Sequence, residues 1–225
     1  MNLGSRTASP DAAAERLCAE LVPRMLDALR NGHAVPDADF DTLYPAGLRR
    51  LSEIHWTPVD VALRAARLLV TGSHTRVLDV GAAVGKFCLV GALATPGSFC
   101  GVERRAGLSR IALEVAETLR VPRVRYLGAD MADVDWGRFD AFYLFNPFYE
   151  NVMPVVCPGG RSVPNAELFD GYVGIVEDKL RASRPGTRVV TYHGFGGRFP
   201  HGFVRVPTEE PRGSELQLWM KSDRY

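Results

Sequence analysis

Two glycines, Gly81 and Gly85, punctuate the run from Thr75 to Phe87, where one short apolar segment gives way to another. The first segment, Arg76 to Val80, is rich in β-branched residues and suits a buried parallel strand. The second, Lys86 to Ala94, has helical potential. A strand, a glycine turn and a helix bring backbone N–H groups and the positive helix end to one point, where a ligand can be held. Neither glycine has a Cβ, so the backbone can turn tightly and come close to that ligand. The spacing excludes two nucleotide templates. A dinucleotide fingerprint reads G-x-G-x-x-G, but Ala83 lies between the two glycines here. A P-loop has four residues between its glycines and then Lys-Ser/Thr, whereas three residues separate this pair and Phe87 follows Lys86. Glu103, about 24 residues after Asp79, is close to the spacing at which an acidic residue reaches a ribose in related folds. Its carboxylate can accept bonds from both ribose hydroxyls, or can pair on the surface with Arg104 or Arg105.

These residues need a frame, and the hydrophobic pattern supplies one. The spacing predicts strands over Arg76 to Val80, Ser98 to Val102, Val121 to Leu127, Asp140 to Phe145 and Arg188 to His193. Helices are expected over Val59 to Leu69, Lys86 to Ala94, Ala106 to Arg120 and Asn165 to Ser183, with Thr57 as N-cap of the first and Asn165 of the last. The alternation argues for α/β, a doubly wound, mostly parallel sheet. His201 to Val206 and Glu215 to Lys221 are joined by a short polar link with no room for a crossover helix. They should be antiparallel neighbours, making seven strands in all. Residues 1–56 form a helical extension before a second unit, 57–225. In the extension a helix with Leu17, Leu21, Met25 and Leu29 on one stripe is expected to kink or split at Pro23. Residues 1–10 are polar, and residues 33–57 and 151–164 read as irregular.

In such a sheet ligands bind beyond the carboxyl ends of the strands. Four candidate strand ends carry polar residues: Asp79 with the glycine turn, Glu103, Asp130-Met131, and Asn146-Pro147-Phe148-Tyr149. The run from Asp79 to Gly85 resembles the first motif of class I S-adenosylmethionine (SAM)-dependent methyltransferases, acidic-x-Gly-x-Gly-x-Gly, with Ala83 replacing the middle glycine. The family builds its sheet from five parallel strands and a terminal hairpin, so the resemblance covers about residues 57–221 in order of elements. It implies SAM as cofactor, held by Asp79, Gly81, Ala83, Gly85 and Glu103. It also implies that Asp130 takes a hydrogen bond from the adenine amino group while Met131 packs on the ring.

Asn146-Pro147-Phe148-Tyr149 resembles the N-P-P-Y motif of methyltransferases that act on amino groups, with Phe148 in place of the second proline. Methyl transfer from a sulfonium is an in-line displacement, so a nitrogen lone pair must be aimed at the methyl group. The Asn146 side-chain carbonyl and the Pro147 main-chain carbonyl can accept two N–H bonds from a substrate amine. A ring at Phe148 or Tyr149 can pack on a planar base or face the developing positive charge. The resemblance thus implies N-methylation, with Asn146, Pro147, Phe148 and Tyr149 at the reacting centre and Asn146 also beside the cofactor. His55 and Trp56 stand where the family covers the methionine end of the cofactor. His193 and Tyr44 are further candidates; a base at His193 would suit O- or C-methylation instead.

Composition narrows the partners. The net charge is +1 with both signs mixed along the chain, which gives no basic stripe for a long nucleic acid and no polybasic helix for a membrane. Cysteines at 18, 88, 100 and 157 form no C-x-x-C pair, so neither a zinc site nor a disulfide framework is expected; Cys88 and Cys100 lie in apolar runs and read as core. No apolar run reaches the roughly 18 residues of a membrane span, and the start lacks a signal-peptide pattern, so the cytosol is expected. A non-catalytic scaffold that keeps the fold, or a nicotinamide-dependent oxidoreductase, are the readings from other classes; the glycine spacing opposes the latter. The acceptor and the oligomeric state have no signature in the sequence.

Overall fold

The computed structural model describes residues 10–157, 160–210 and 214–223. Seven strands make its main sheet: β1 (Arg76–Val80), β2 (Ser98–Val102), β3 (Val124–Leu127), β4 (Ala141–Phe145), β5 (Arg188–Tyr192), β6 (Phe203–Val206) and β7 (Leu216–Lys221). Their order is β3-β2-β1-β4-β5-β7-β6. The first five run parallel, and β7 lies antiparallel between β5 and β6. The strand order reverses between β1 and β4, so their carboxyl ends diverge into a crevice. The two loops leaving that crevice are the glycine turn after β1 and Asn146-Pro147 after β4.

Both faces of the sheet are covered. Because side chains alternate along a strand, Val77, Phe99, Tyr143 and Val190 pack on one face with helices α1 (Pro10–Arg30), α5 (Val59–Leu69), α6 (Lys86–Ala94) and α7 (Ala106–Thr118). Leu78, Cys100, Phe142 and Val189 pack on the other with Val176 and Leu180 of α8 (Ala166–Ala182). Cys88 and Cys100 are buried in the core, as their apolar runs imply. Asn165 caps α8 by accepting the Leu168 N–H at 2.9 Å.

Several boundaries differ from the sequence pattern. Pro23 lies inside one continuous helix, exposed to solvent, where the carbonyl it leaves unpaired can bond water. Thr57 does not cap α5. Its hydroxyl shares a buried 3.0 Å hydrogen bond with the Tyr143 hydroxyl, and the Val59 N–H is accepted at 3.0 Å by Asp37, twenty-two residues upstream. The third strand begins only at Val124, after a turn with Arg120 and Arg123 at positive φ. Within 151–164, Val156–Cys157 and Gly160–Arg161 pair as a small antiparallel hairpin. The polar start, 1–9, lies outside the described residues, as do 158–159 and part of the link before β7. Among the described residues no helix is long and apolar enough to cross a membrane.

The extension is not a separate body. Met25, Leu29, Phe40, Tyr44 and Trp56 share a core with α5 and α6. Residues 33–57 fold into three short helices, α2 (Asp37–Phe40), α3 (Ala46–Arg49) and α4 (Ser52–His55). Lys86 fixes them. Its Nζ is buried and donates to Asp37 at 2.5 Å, Asp41 at 2.7 Å and Ser52 Oγ at 3.4 Å, within 6 Å of the Phe40 and Trp56 ring centres. The lysine after the glycine turn therefore points away from the turn and holds the extension in place.

Candidate functional site

At the end of β1 the chain turns sharply. Gly81 has φ +79°, Ala83 +47° and Gly85 +77°. Gly81 and Ala82 both donate to the Val102 carbonyl at 3.0 Å, which binds the turn to the end of β2. Gly85 is needed for packing: a Cβ there would collide with the Tyr126 ring, whose hydroxyl donates to the Gly85 carbonyl at 3.0 Å. Ala83 holds its left-handed backbone with its N–H accepted by Glu103 Oε2 at 3.1 Å. The other carboxylate oxygen of Glu103 accepts the Arg105 N–H at 2.8 Å. A carboxylate offers about four acceptor sites, so each oxygen keeps capacity for a ligand hydroxyl.

At the end of β3, Asp130 Oδ1 accepts the Ala132 N–H at 2.9 Å and Oδ2 accepts the Tyr172 hydroxyl. This turn is buttressed from below. Lys179 donates to the carbonyls of Ala132 and Val134 at 2.7 Å, and the Trp136 indole donates to the Met131 carbonyl at 3.3 Å.

At the end of β4, Asn146 adopts φ +39°. Its N–H donates to the Gly194 carbonyl at 3.0 Å, and its carbonyl accepts the Tyr149 N–H at 3.2 Å. Those backbone bonds leave the side-chain amide without a partner among the described residues. Phe148 is buried and stacks on Tyr172 with ring centres 5.1 Å apart and planes 10° from parallel. Tyr149 is partly exposed, and its hydroxyl lies 2.9 Å from Met153 Sδ.

These ends open on one cleft of about 1130 Å³, a volume that includes open solvent at its mouth. Gly81, Ala83, Glu103, Asp130 and Met131 line one part of it; Asn146, Pro147, Phe148 and Tyr149 line another. Leu48, Leu51, Ile54, His55 and Trp56 of the extension form a further, mostly apolar wall. Arg105 and Glu150 form an ion pair at its edge, with Arg104 nearby.

Four residues singled out in the sequence do not reach the cleft. Asp79 is 4% exposed on the α6 side of the sheet, where the Cys88 thiol donates to it at 3.5 Å. Strand alternation explains this, since Val80, its neighbour, takes the cleft-facing position. Burial, opposed by the thiol bond and helped by the Glu103 charge, raises the Asp79 pKa to about 7. Gly85 supports the turn from behind. His193 sits at a positive φ with its Nδ1 3.8 Å from Glu215 Oε2; it is not part of the cleft lining but packs behind it, its ring centre 5.9 Å from that of the lining residue Phe145. Tyr44 is core: it packs edge-on against Trp56, and burial pushes its phenol pKa well up.

Tyr172 and Lys86 are the residues that sequence reasoning missed. Tyr172 stands alone on a helix, with no motif around it to mark it. For Lys86 the signal was faint but present: a lysine opening an otherwise apolar helix, with Asp37, Asp39 and Asp41 upstream in an irregular stretch.

No family model and no curated protein matches the chain. Solved structures do. An RNA methyltransferase from Salinibacter ruber in complex with S-adenosyl-L-homocysteine is similar over 75% of this chain and 95% of its own, with a TM-score of 0.53 and 18% identity. The yhhF protein from Escherichia coli, named as a methyltransferase, is similar over 73% of this chain and 87% of its own, with a TM-score of 0.53 and 12% identity. The match to TrmN from Thermus thermophilus covers 73% of this chain but 49% of the other, so this chain spans about half its length; the TM-score is 0.49 and the identity 19%. At such identities the likeness to the first two establishes the fold alone: a seven-stranded, mostly parallel sheet of the Rossmann-like methyltransferase type.

Proposed function

We propose that this chain is a SAM-dependent methyltransferase that methylates an amino nitrogen. The observation that carries the reading is the unpartnered amide of Asn146, a residue that lines the same cleft as Gly81, Ala83, Glu103 and Asp130. The residues present fit the cofactor. Glu103 would hold the ribose hydroxyls with the acceptor sites its two backbone bonds leave over. Asp130 and Met131 would hold the adenine, and the Gly81-to-Ala83 turn would take the amino-acid end. When bound, SAM supplies an electrophilic methyl group on a sulfonium.

The chain's own contribution is orientation. Asn146 and the Pro147 carbonyl accept the N–H bonds of the acceptor, which fixes its lone pair on one axis. Neutral carbonyl acceptors leave that lone pair free while stabilising the positive charge that develops on nitrogen. Phe148 is committed to its stack on Tyr172, so Tyr149 is the ring left to meet the acceptor. The wall of Leu48, Leu51, Ile54 and Trp56 suits an apolar or planar group around that amine. The net charge of +1 on the whole chain favours an amine on a protein side chain, a small molecule or a single base over a long nucleic acid. His193 is not among the residues that line the cleft, whereas Asn146 is, which supports the amine reading over one that uses His193 as a base.

Two measurements test the reading. Calorimetry should find binding of S-adenosylhomocysteine and none of NADH. Incubating the protein with methyl-labelled SAM and cell-extract fractions should label a nitrogen on one acceptor class. Binding without transfer to any fraction would favour the scaffold reading, and label on oxygen or carbon would reject the Asn146 mechanism.

A further inference from the structure

Three strand-end loops converge on one side chain that no motif marks. The Tyr172 hydroxyl donates to Asp130 Oδ2 at the end of β3. Arg104, which follows Glu103 at the end of β2, donates to that hydroxyl at 3.3 Å and lies over the ring, 5.9 Å from its centre. The opposite attachment is the stack with Phe148, which follows Pro147 at the end of β4. Tyr172 itself projects from α8, whose Lys179, two turns on, holds the Asp130 turn by its carbonyls.

We infer that Tyr172 is a positioning residue that couples the nucleoside end of the cleft to the acceptor corner. The inference rests on the proposed function and adds to it a residue that touches neither reacting atom. The hydroxyl bond fixes the rotamer of Asp130, so that its remaining acceptor sites face an adenine amino group. The ring stack fixes Phe148 and, through one peptide, the Pro147 carbonyl. Each attachment restrains a different subsite, and one rigid aromatic ring transmits between them. A ligand that orders Asp130 therefore also orders the corner, because both restrain the same ring.

The two attachments are separable by substitution. Tyr172→Phe keeps the stack and loses the hydroxyl; Tyr172→Leu loses both. Two probes report the two ends without any acceptor. S-adenosylhomocysteine reads the nucleoside end. Sinefungin, which carries an amine where SAM carries its sulfonium methyl, also reads the Asn146-Pro147 corner. Calorimetric affinities for the two ligands are measured on wild type and both variants, with thermal melts to confirm folding.

Wild type should bind sinefungin more tightly than S-adenosylhomocysteine. Tyr172→Phe should weaken both ligands equally, by about 3- to 10-fold, the effect of one lost hydrogen bond. Tyr172→Leu should weaken both and in addition abolish the sinefungin preference. A merely structural residue would lower the melting temperature and leave that preference intact. If Tyr172→Leu keeps the preference, or if Tyr172→Phe binds as well as or better than wild type, the coupling is wrong while the methyltransferase reading stands. The same holds if wild type binds both ligands without preference. If wild type binds neither ligand, both the reading and the coupling fall.

Discussion

A Cβ built on Gly81 would stand 3.2 Å from the Cβ of Pro147, so the glycine turn and the Asn146-Pro147 corner are in direct contact across the β1–β4 crevice. That contact is tighter than side chains usually tolerate, and Gly81 sits at φ +79° as well. Any side chain added at Gly81 would therefore press on the Asn146-Pro147 corner.

Gly81→Ala should consequently harm both ends at once. The left-handed backbone costs about 1–2 kcal/mol for an L-residue, and the new methyl group pushes Pro147 outward. We expect S-adenosylhomocysteine binding to weaken at least about 10-fold and the melting temperature to fall by a few degrees. Calorimetry and a thermal melt check both; wild-type affinity in this variant would show that the turn lies outside the ligand site.

Asn146→Ala removes the unpartnered amide and leaves the carbonyl bond to Tyr149 in place. Loss of an orienting group of this kind costs about 100-fold in rate or more. Methyl transfer to the identified acceptor should fall by that order, with S-adenosylhomocysteine affinity changed less than about 3-fold. Equal losses in rate and cofactor affinity would mean that Asn146 holds the cofactor instead.

Asp79 predicts a pH dependence of stability. Its folded pKa is raised from 3.8 to about 7, chiefly by burial. Between those values the folded state holds a proton that the unfolded state has released, so stability falls as pH rises through this window and levels off above it. The slope is at most about 1.4 kcal/mol per pH unit. Asp79→Asn should flatten this part of the profile, as read by urea unfolding at a series of pH values. An unchanged profile would show that Asp79 does not titrate there.

Lys86→Met should loosen the extension. Removing one partner from a buried ion pair costs about 3–5 kcal/mol, because Asp41 stays buried with its charge unopposed. The double variant Lys86→Met with Asp41→Leu should recover part of that loss. Hydrogen exchange should show faster amide exchange across 37–56 in the single variant and little change in β1 to β5. Uniform acceleration throughout the chain would instead mean global unfolding.

The alternation of apolar runs marked the sheet because strand and helix periods differ, and the positions of Glu103, Asp130 and Asn146 at run ends followed from it. The short connection before Leu216–Lys221 implied the antiparallel partner on steric grounds alone. The Thr57 cap that the sequence implies is replaced for a different reason: the group that satisfies the Val59 N–H comes from Asp37, and nothing local distinguishes the two. The family resemblance places Asp79 beside the cofactor, while strand alternation turns its side chain toward Cys88.

By itself the sequence determined the strand ends and the residues they present, because local periodicity, glycine placement and turn chemistry act within a few residues. The tertiary structure alone decided that Lys86 faces the extension, that Phe148 is held by Tyr172, and that Leu48, Leu51 and Ile54 wall the cleft. Those pairings join segments tens of residues apart. Which of many buried partners a charge or a ring meets is set by how the layers pack, and no spacing along the chain encodes it.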